Sequence, residues 1–297
     1  MAFQSGFVTI IGCPNVGKST LMNALVGQKV SIVSQKAQTT RNCIQGVLTR
    51  EDYQAVFVDT PGIHHPKTRL GDYMMRMVKN SMAGHDVMLV MIDGVAGVGR
   101  RDREILDGLR KNEMPVILVI NKIDAIPKET LLPMIAQFQE ESWIRHIVPV
   151  SALKGDGLKE LEQLIRGFLP VGPKYFPDDM VTDQPERQVV AEFIREKALE
   201  LLQEEVPHGV GVDVERMQEQ ENGVIEIFAT IYCDKNSHKG IIIGKNGSML
   251  KEIGRRARKE IEWLLMTRVY LELWVKVKEG WRNSHATLRQ LGYSPEN

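Results

Sequence analysis

The fold class this sequence predicts is a mostly parallel α/β sheet with helices on both faces, followed by a smaller α+β domain. Three observations predict it. Strand-sized β-branched runs recur through the first half, each followed by a turn. The phosphate-binding spacing G-x-x-x-x-G-K-S follows the first of them. Alternating strands and a G-x-x-G tetrapeptide occupy the last third.

The first strand, Phe7-Val8-Thr9-Ile10-Ile11, runs into Gly12-Cys13-Pro14-Asn15-Val16-Gly17-Lys18-Ser19 and then the helical pattern Thr20 to Val26. Strand, glycine-rich loop and helix together form the Walker A context, whose backbone N–H groups and helix N-terminus face phosphate. Lys18 is expected to reach the outer phosphates and Ser19 to place its hydroxyl on Mg²⁺. The stretch Gln38-Thr39-Thr40-Arg41 lacks apolar periodicity and reads as a switch segment. Thr40 is the choice for the second Mg²⁺ hydroxyl and Thr39 the runner-up. Arg41 reads as a solvated switch-loop arginine rather than a phosphate ligand.

Ala55-Val56-Phe57-Val58 leads into Asp59-Thr60-Pro61-Gly62. Asp59 is expected to hold Mg²⁺ through water, and the Gly62 N–H to touch the terminal phosphate. Loss of that phosphate frees the loop Ile63 to Gly71, which makes it a switch. The buried-strand run Val116 to Ile120 ends in Asn121-Lys122-Ile123-Asp124, where ligands gather in open parallel sheets. A carboxylate at Asp124 accepts from guanine's ring N–H and amine together, and a buried Asp124 left unpaired by adenine favours GTP. Lys122 is expected to lie against the base and Asn121 to brace the loops. The strand Ile147 to Val150 ends in Ser151-Ala152-Leu153-Lys154, whose N–H groups read the guanine oxygen.

Residues 1–170 thus form the first domain, 171–186 an extended linker with Pro173, Pro177 and Pro185, and 187–297 the second domain with a C-terminal tail. The second domain opens with a helix from Ala191 to Val206, with Phe193, Ile194, Ala198, Leu201 and Leu202 on its apolar face and acids on its polar face. Strands follow at Val210–Glu215 and Ile225–Ile231. Gly244-Lys245-Asn246-Gly247 then precedes a helix from Ser248 to Leu265 and a last strand from Val269 to Val277. The order α-β-β-α-α-β resembles a type II KH domain, in which two glycines let a nucleic-acid backbone approach and about four nucleotides are clamped. Lys239, Lys245, Lys251 and Arg255 lead a local basic patch that includes Lys235, Arg256, Arg258 and Lys259. Ile227, Ile241, Ile242, Ile243 and Ile253 are expected to divide between core and an apolar groove for bases.

Taken in order, G-x-x-x-x-G-K-S, T-T-R, D-T-P-G, N-K-x-D and S-A-L resemble the TrmE–Era–EngA group of translation-factor-related GTPases. The KH-like half narrows the resemblance to the Era family. Membership implies a slow GTP-hydrolysing switch that needs Mg²⁺ and binds the 3′ end of 16S rRNA during maturation of the small (30S) ribosomal subunit. It also implies a cytoplasmic protein, a monomer, with peripheral association with the inner membrane and a coupling to cell growth or the cell cycle. After Gly62 stands Ile63, where Ras-like proteins carry the water-orienting glutamine. Catalysis is therefore assigned to Lys18, Gly62 and Asn15, the last by resemblance to relatives whose P-loop asparagine holds K⁺. Two other readings stay open: an RNA-binding scaffold with GTP as a structural ligand, and a GTPase of tRNA modification or large-subunit assembly.

At 297 residues and zero formal net charge, the chain has core enough for two domains, and affinity for nucleic acid rests on local patches. Cys13, Cys43 and Cys233 have neither disulfide-framework nor metal-site spacing, which suits a reducing compartment. His64 and His65 read as solvated switch-loop histidines. The longest apolar runs are strand-sized, and no secretory leader is expected at the amino terminus.

Overall fold

The computed structural model describes residues 2–34, 36, 38–82 and 84–293, so the end of the expected C-terminal tail, 294–297, lies outside the described residues. Two compact units emerge. The first comprises Met1–Ser31, Thr40–His65 and Met74–Asp183; the second comprises Ile32–Thr39, Pro66–Tyr73 and Gln184–Asn297.

In the first unit, β1 (Gln4–Gly12), β2 (Ile44–Thr49), β3 (Tyr53–Asp59), β4 (Val87–Asp93), β5 (Val116–Asn121) and β6 (Ile144–Pro149) form one sheet in the order β2-β3-β1-β4-β5-β6. Only β2 runs antiparallel to its neighbour. The helices are α1 (Lys18–Val26), α2 (Arg69–Ser81, whose first turn groups with the second unit), α3 (Arg100–Leu109), α4 (Lys128–Ala136) and α5 (Leu158–Phe168). Strands buried on both faces read as unbroken apolar runs, and β4 and β5 do so because a core lies on each side. One core takes in Leu21, Leu25, Leu161 and Ile165; the other takes in Leu106, Leu109 and Phe138. Parallel pairing carries the ends of β1, β3 and β5 to one edge, with Ile10 level with Asp59 and Asp93 level with Asn121.

The stretch expected as a linker is extended but not free. Gly172 N–H donates to Phe3 O at 3.1 Å and Val47 N–H to Val181 O at 2.9 Å. Gln54 donates to Phe176 O at 2.9 Å, and its Oε1 accepts from the N–H of Tyr175 at 2.8 Å and of Phe176 at 3.0 Å. The backbone groups of this segment find partners on the first unit, which continues to Asp183.

The second unit holds α6 (Glu186–Leu201), β7 (Gly211–Glu219), β8 (Ile225–Cys233), α7 (Asn236–Ile243), α8 (Ser248–Leu265), β9 (Val269–Val277) and α9 (His285–Gln290). Its sheet runs β7-β8-β9, with β8 and β9 parallel. Helix α6 starts and ends five residues earlier than its periodicity predicts. Pro185 fixes the N-cap, while Leu202 turns extended (φ −87°, ψ 153°) to enter the core. Its charges are also not all solvated: Arg195, Glu196 and Lys197 are buried. Lys197 meets Glu196 and Glu200 at 2.8 Å and Glu260 at 2.6 Å, and Arg195 pairs with Glu192. Such burial is tolerated because every charge has a partner.

Candidate functional site

The P-loop is shaped by residues that accept left-handed backbone. Asn15 has φ 65° and Gly17 φ 102°. A Cβ on Gly17 would stand 2.3 Å from Asn121 Nδ2, and one on Gly12 would stand 2.6 Å from Met91 O. Asn121 sits where expected and braces two loops, donating to Val16 O at 2.8 Å and accepting from Ala152 N–H at 3.0 Å. Lys18 is buried, and its Nζ donates to Cys13 O at 3.0 Å and Gly12 O at 3.3 Å, so the loop's own carbonyls hold the ammonium in the cradle. Burial lowers the Lys18 pKa, with the Asp59 charge opposing. Burial pushes the Cys13 thiol up to about 11, so it stays protonated at neutral pH.

Hydroxyl and carboxylate oxygens converge beside this loop. Ser19 Oγ donates to Asp59 Oδ2 at 2.6 Å and lies 2.9 Å from Thr40 Oγ1, which is 3.4 Å from the same Asp59 oxygen. Ser31 Oγ, which sequence reasoning missed, donates to Asp59 Oδ2 at 3.0 Å. Thr39 Oγ1 instead donates to Lys36 O at 2.7 Å. Asp59 Oδ1 is buried with no partner among the described residues. Burial raises the Asp59 pKa, with Lys18 and the three hydroxyls opposing. A cluster of hard oxygen donors with one orphaned carboxylate oxygen fits Mg²⁺.

Beyond Asp59, Thr60 is buried and its hydroxyl donates to Ile10 O at 2.7 Å, so that side chain ties β3 to β1. Gly62 lies flat on the P-loop: a Cβ there would come within 2.7 Å of Pro14 Cα. Ile63 N–H donates to Gly12 O at 3.1 Å, and its side chain packs on the second core. Three expectations need correction here. Arg41 is not solvated but 2% exposed. His64 is half-buried, with Nδ1 at 2.9 Å from Gly62 O. Asp124 is exposed rather than buried; Ser151 Oγ donates to its Oδ1 at 2.6 Å, so only a bound base would bury it. Lys122 (φ 66°) donates to Asn15 O at 2.9 Å and pairs with Asp93 at 2.5 Å. Asp93 was missed because a carboxylate at a strand end carries no motif of its own. Of the following loop, Ser151 and Ala152 are buried and Leu153 is 75% exposed; Ile123 opens the short 3₁₀ turn that bears Asp124.

The second unit presents a different kind of site. Gly244 (φ 72°), Asn246 (φ 53°) and Gly247 (φ 76°) make the turn between α7 and α8, with Lys245 and Asn246 exposed. An open groove of about 390 Å³ runs beside it, floored by Leu250, Leu271 and Leu273 and edged by Lys251, Arg255 and Arg258. Ile227, Ile242 and Ile253 are fully buried core, whereas Ile241 is 49% exposed, so the apolar floor comes from leucines instead of the expected isoleucines. Glu252 bonds Arg255 and Arg256 at 2.7 Å each, which leaves Lys245, Lys251 and Arg258 without a carboxylate partner among the described residues. Lys239 is half-buried in the middle of α7.

No described helix is long and apolar enough to cross a membrane. Comparison with known proteins agrees with this geometry. A family model described as 50S ribosome-binding GTPase matches residues 7–122, and a KH domain model matches residues 205–282. GTPase Era of Clostridium kluyveri is 53% identical over 290 residues, spanning 98% of this chain and 99% of that protein. GTPase Era of Alkaliphilus oremlandii is 54% identical over 294 residues, spanning 99% and 100%. Era in complex with MgGDPNP and nucleotides 1506–1542 of 16S ribosomal RNA superposes with a TM-score of 0.95 at 46% identity, covering 99% of this chain and all of that one. A point variant of Aquifex aeolicus Era bound to GDP·AlF₄⁻ gives the same TM-score at 45% identity and the same coverage.

Proposed function

The chain belongs to the Era family of GTPases, and from that premise we propose that it is a GTP-hydrolysing switch that binds the 3′ end of 16S rRNA and acts in maturation of the 30S subunit. The observation that carries this reading is the full-length likeness to an Era solved with MgGDPNP and a 16S segment. That RNA favours the small subunit over the large one named by the family model for residues 7–122.

In this reading GTP and water give GDP and phosphate. Lys18 neutralises charge on the outer phosphates, Gly62 offers its N–H to the terminal one, and Asp124 with the Ser151–Leu153 loop selects guanine. Ser19, Thr40 and Asp59 would hold Mg²⁺, which would supply charge neutralisation to the phosphates. Asn15 is assigned to K⁺, on resemblance and on its place in the loop. The segment Gln38 to Arg41 senses the nucleotide. Lys239, Lys245, Asn246, Lys251 and Arg255, with Gly244 and Gly247, hold RNA. We place the protein in the cytoplasm as a monomer, with peripheral contact to the inner membrane.

The test is affinity for a short RNA matching the 16S 3′ end against a scrambled control, with a non-hydrolysable GTP analogue and with GDP. Selective binding that tightens with the GTP analogue is expected. Replacing Lys245 and Asn246 together by Asp should abolish it and leave GTP affinity unchanged. Equal affinity for both RNAs would remove the rRNA assignment.

A further inference from the structure

Ile63 has no polar atom with which to orient the attacking water, so the hydrolytic site lacks one part. The next residue carries an unused one. His64 Nδ1 lies 2.9 Å from the carbonyl oxygen of Gly62. A carbonyl oxygen only accepts, so Nδ1 bears the hydrogen, and in the neutral ring Nε2 is left as a lone-pair acceptor. That Nε2 is buried, and no described residue donates to it. A buried acceptor left without a donor is destabilising, and a hydrogen-bonded water would satisfy it.

The ring is also held near the phosphates through its own backbone. Gly62 lies flat against Pro14 of the P-loop, and Ile63 N–H is bonded to Gly12 O at 3.1 Å. The His64 N–H points to Met75 Sδ at 3.5 Å, which fixes the other side of the residue. An imidazole with one nitrogen anchored and the other an unused acceptor, two residues past Gly62, is suited to holding a water.

We propose that His64 is the water-orienting residue of this GTPase, its Nε2 accepting a hydrogen bond from the water that attacks the γ-phosphorus. The water oxygen bonds to that phosphorus as the bond to the β,γ-bridging oxygen breaks. The bridging electron pair leaves with GDP, and the water proton passes to a phosphate oxygen, giving dihydrogen phosphate. The assignment rests on the hydrolase reading above.

Single-turnover GTP hydrolysis by the full chain, with saturating Mg²⁺, tests it in His64→Ala, His64→Phe and His64→Gln. Phe keeps ring volume, so a packing defect in the alanine variant is separated from loss of the acceptor. Ala and Phe should each slow the chemical step about 10²-fold while GTP affinity holds within about twofold, and Gln, which keeps an acceptor, should recover most of the rate. A loss below about tenfold in the Phe variant, or a loss matched by weaker GTP binding, would overturn the proposal. A wild-type chain with no turnover would instead overturn the hydrolase reading beneath it.

Discussion

The P-loop and the G-x-x-G turn are built by opposite means. Around the P-loop, glycines are locked by atoms on neighbouring loops: Gly17 faces Asn121 and Gly62 faces Pro14 at distances where no Cβ fits. In the G-x-x-G turn, Gly247 has nothing within 4 Å of where its Cβ would be, and the cations around it are exposed. The first site is preorganised from within, so its tolerance to change is set by the protein's own packing. The second is held at Gly244, where a Cβ would stand 2.7 Å from Met249 Cβ, and open at Gly247, whose tolerance is set by what docks there.

Base selection offers the strongest way to break this contrast. Asp124→Asn should exchange GTP for XTP preference by about 10⁴-fold in competition binding, because the site's acceptor pair becomes an acceptor and a donor. Unchanged GTP selectivity would remove the guanine assignment. Next comes a matched pair of glycine changes. Gly17→Ala should weaken GTP by about 10²–10³-fold, since the new methyl meets Asn121 Nδ2 and the backbone is left-handed. Gly247→Ala has open space and should cost about 1 kcal/mol of stability from its φ alone, with GTP affinity untouched. If thermal melts and nucleotide titrations rank the two alike, the distinction between packed and open glycines fails.

The smallest effect concerns charge. Hydrogen bonds from Arg255 and Arg256 hold the Glu252 carboxyl down to about 2. A depressed carboxyl contributes stability above its unfolded value of 4.5 and loses it as pH falls through about 2. These pairs therefore persist at mildly acidic pH. Glu252→Gln removes them and should tighten RNA binding a few-fold while steepening its salt dependence by about one counterion. RNA titrations at several salt concentrations read both, and an unchanged slope would show that Glu252 does not screen the patch.

Legibility in the sequence followed the same divide. Motifs that encode backbone shape, such as Gly12 to Ser19, Asp59 to Gly62 and Asn121 to Asp124, marked the strand ends correctly because spacing alone fixes a turn against a phosphate. Helix Ser248–Leu265 and strand Val269–Val277 were also read to the residue. What escaped depends on tertiary neighbours. Ser31 joins Asp59 only because a loop folds back, and the buried Lys197 pairs with Glu260, which is distant in sequence. Helix α6 was shifted because its apolar periodicity continues past Leu202, whereas the chain leaves the helix to bury that leucine. The isoleucines near the G-x-x-G turn went mostly to the core because α8 turns Ile253 inward and leaves Leu250 at the groove.

The docked segment between residues 171 and 182 bears on where the chain can be divided. A fragment cut at residue 170 would strand the Gln54 carboxamide, the Val47 N–H and the Ser5 hydroxyl, which bonds Pro173 O at 2.6 Å. One cut at Asp183 keeps all of these. The longer fragment is thus the autonomous piece, and a protease probing the native chain should spare this stretch despite its lack of helix.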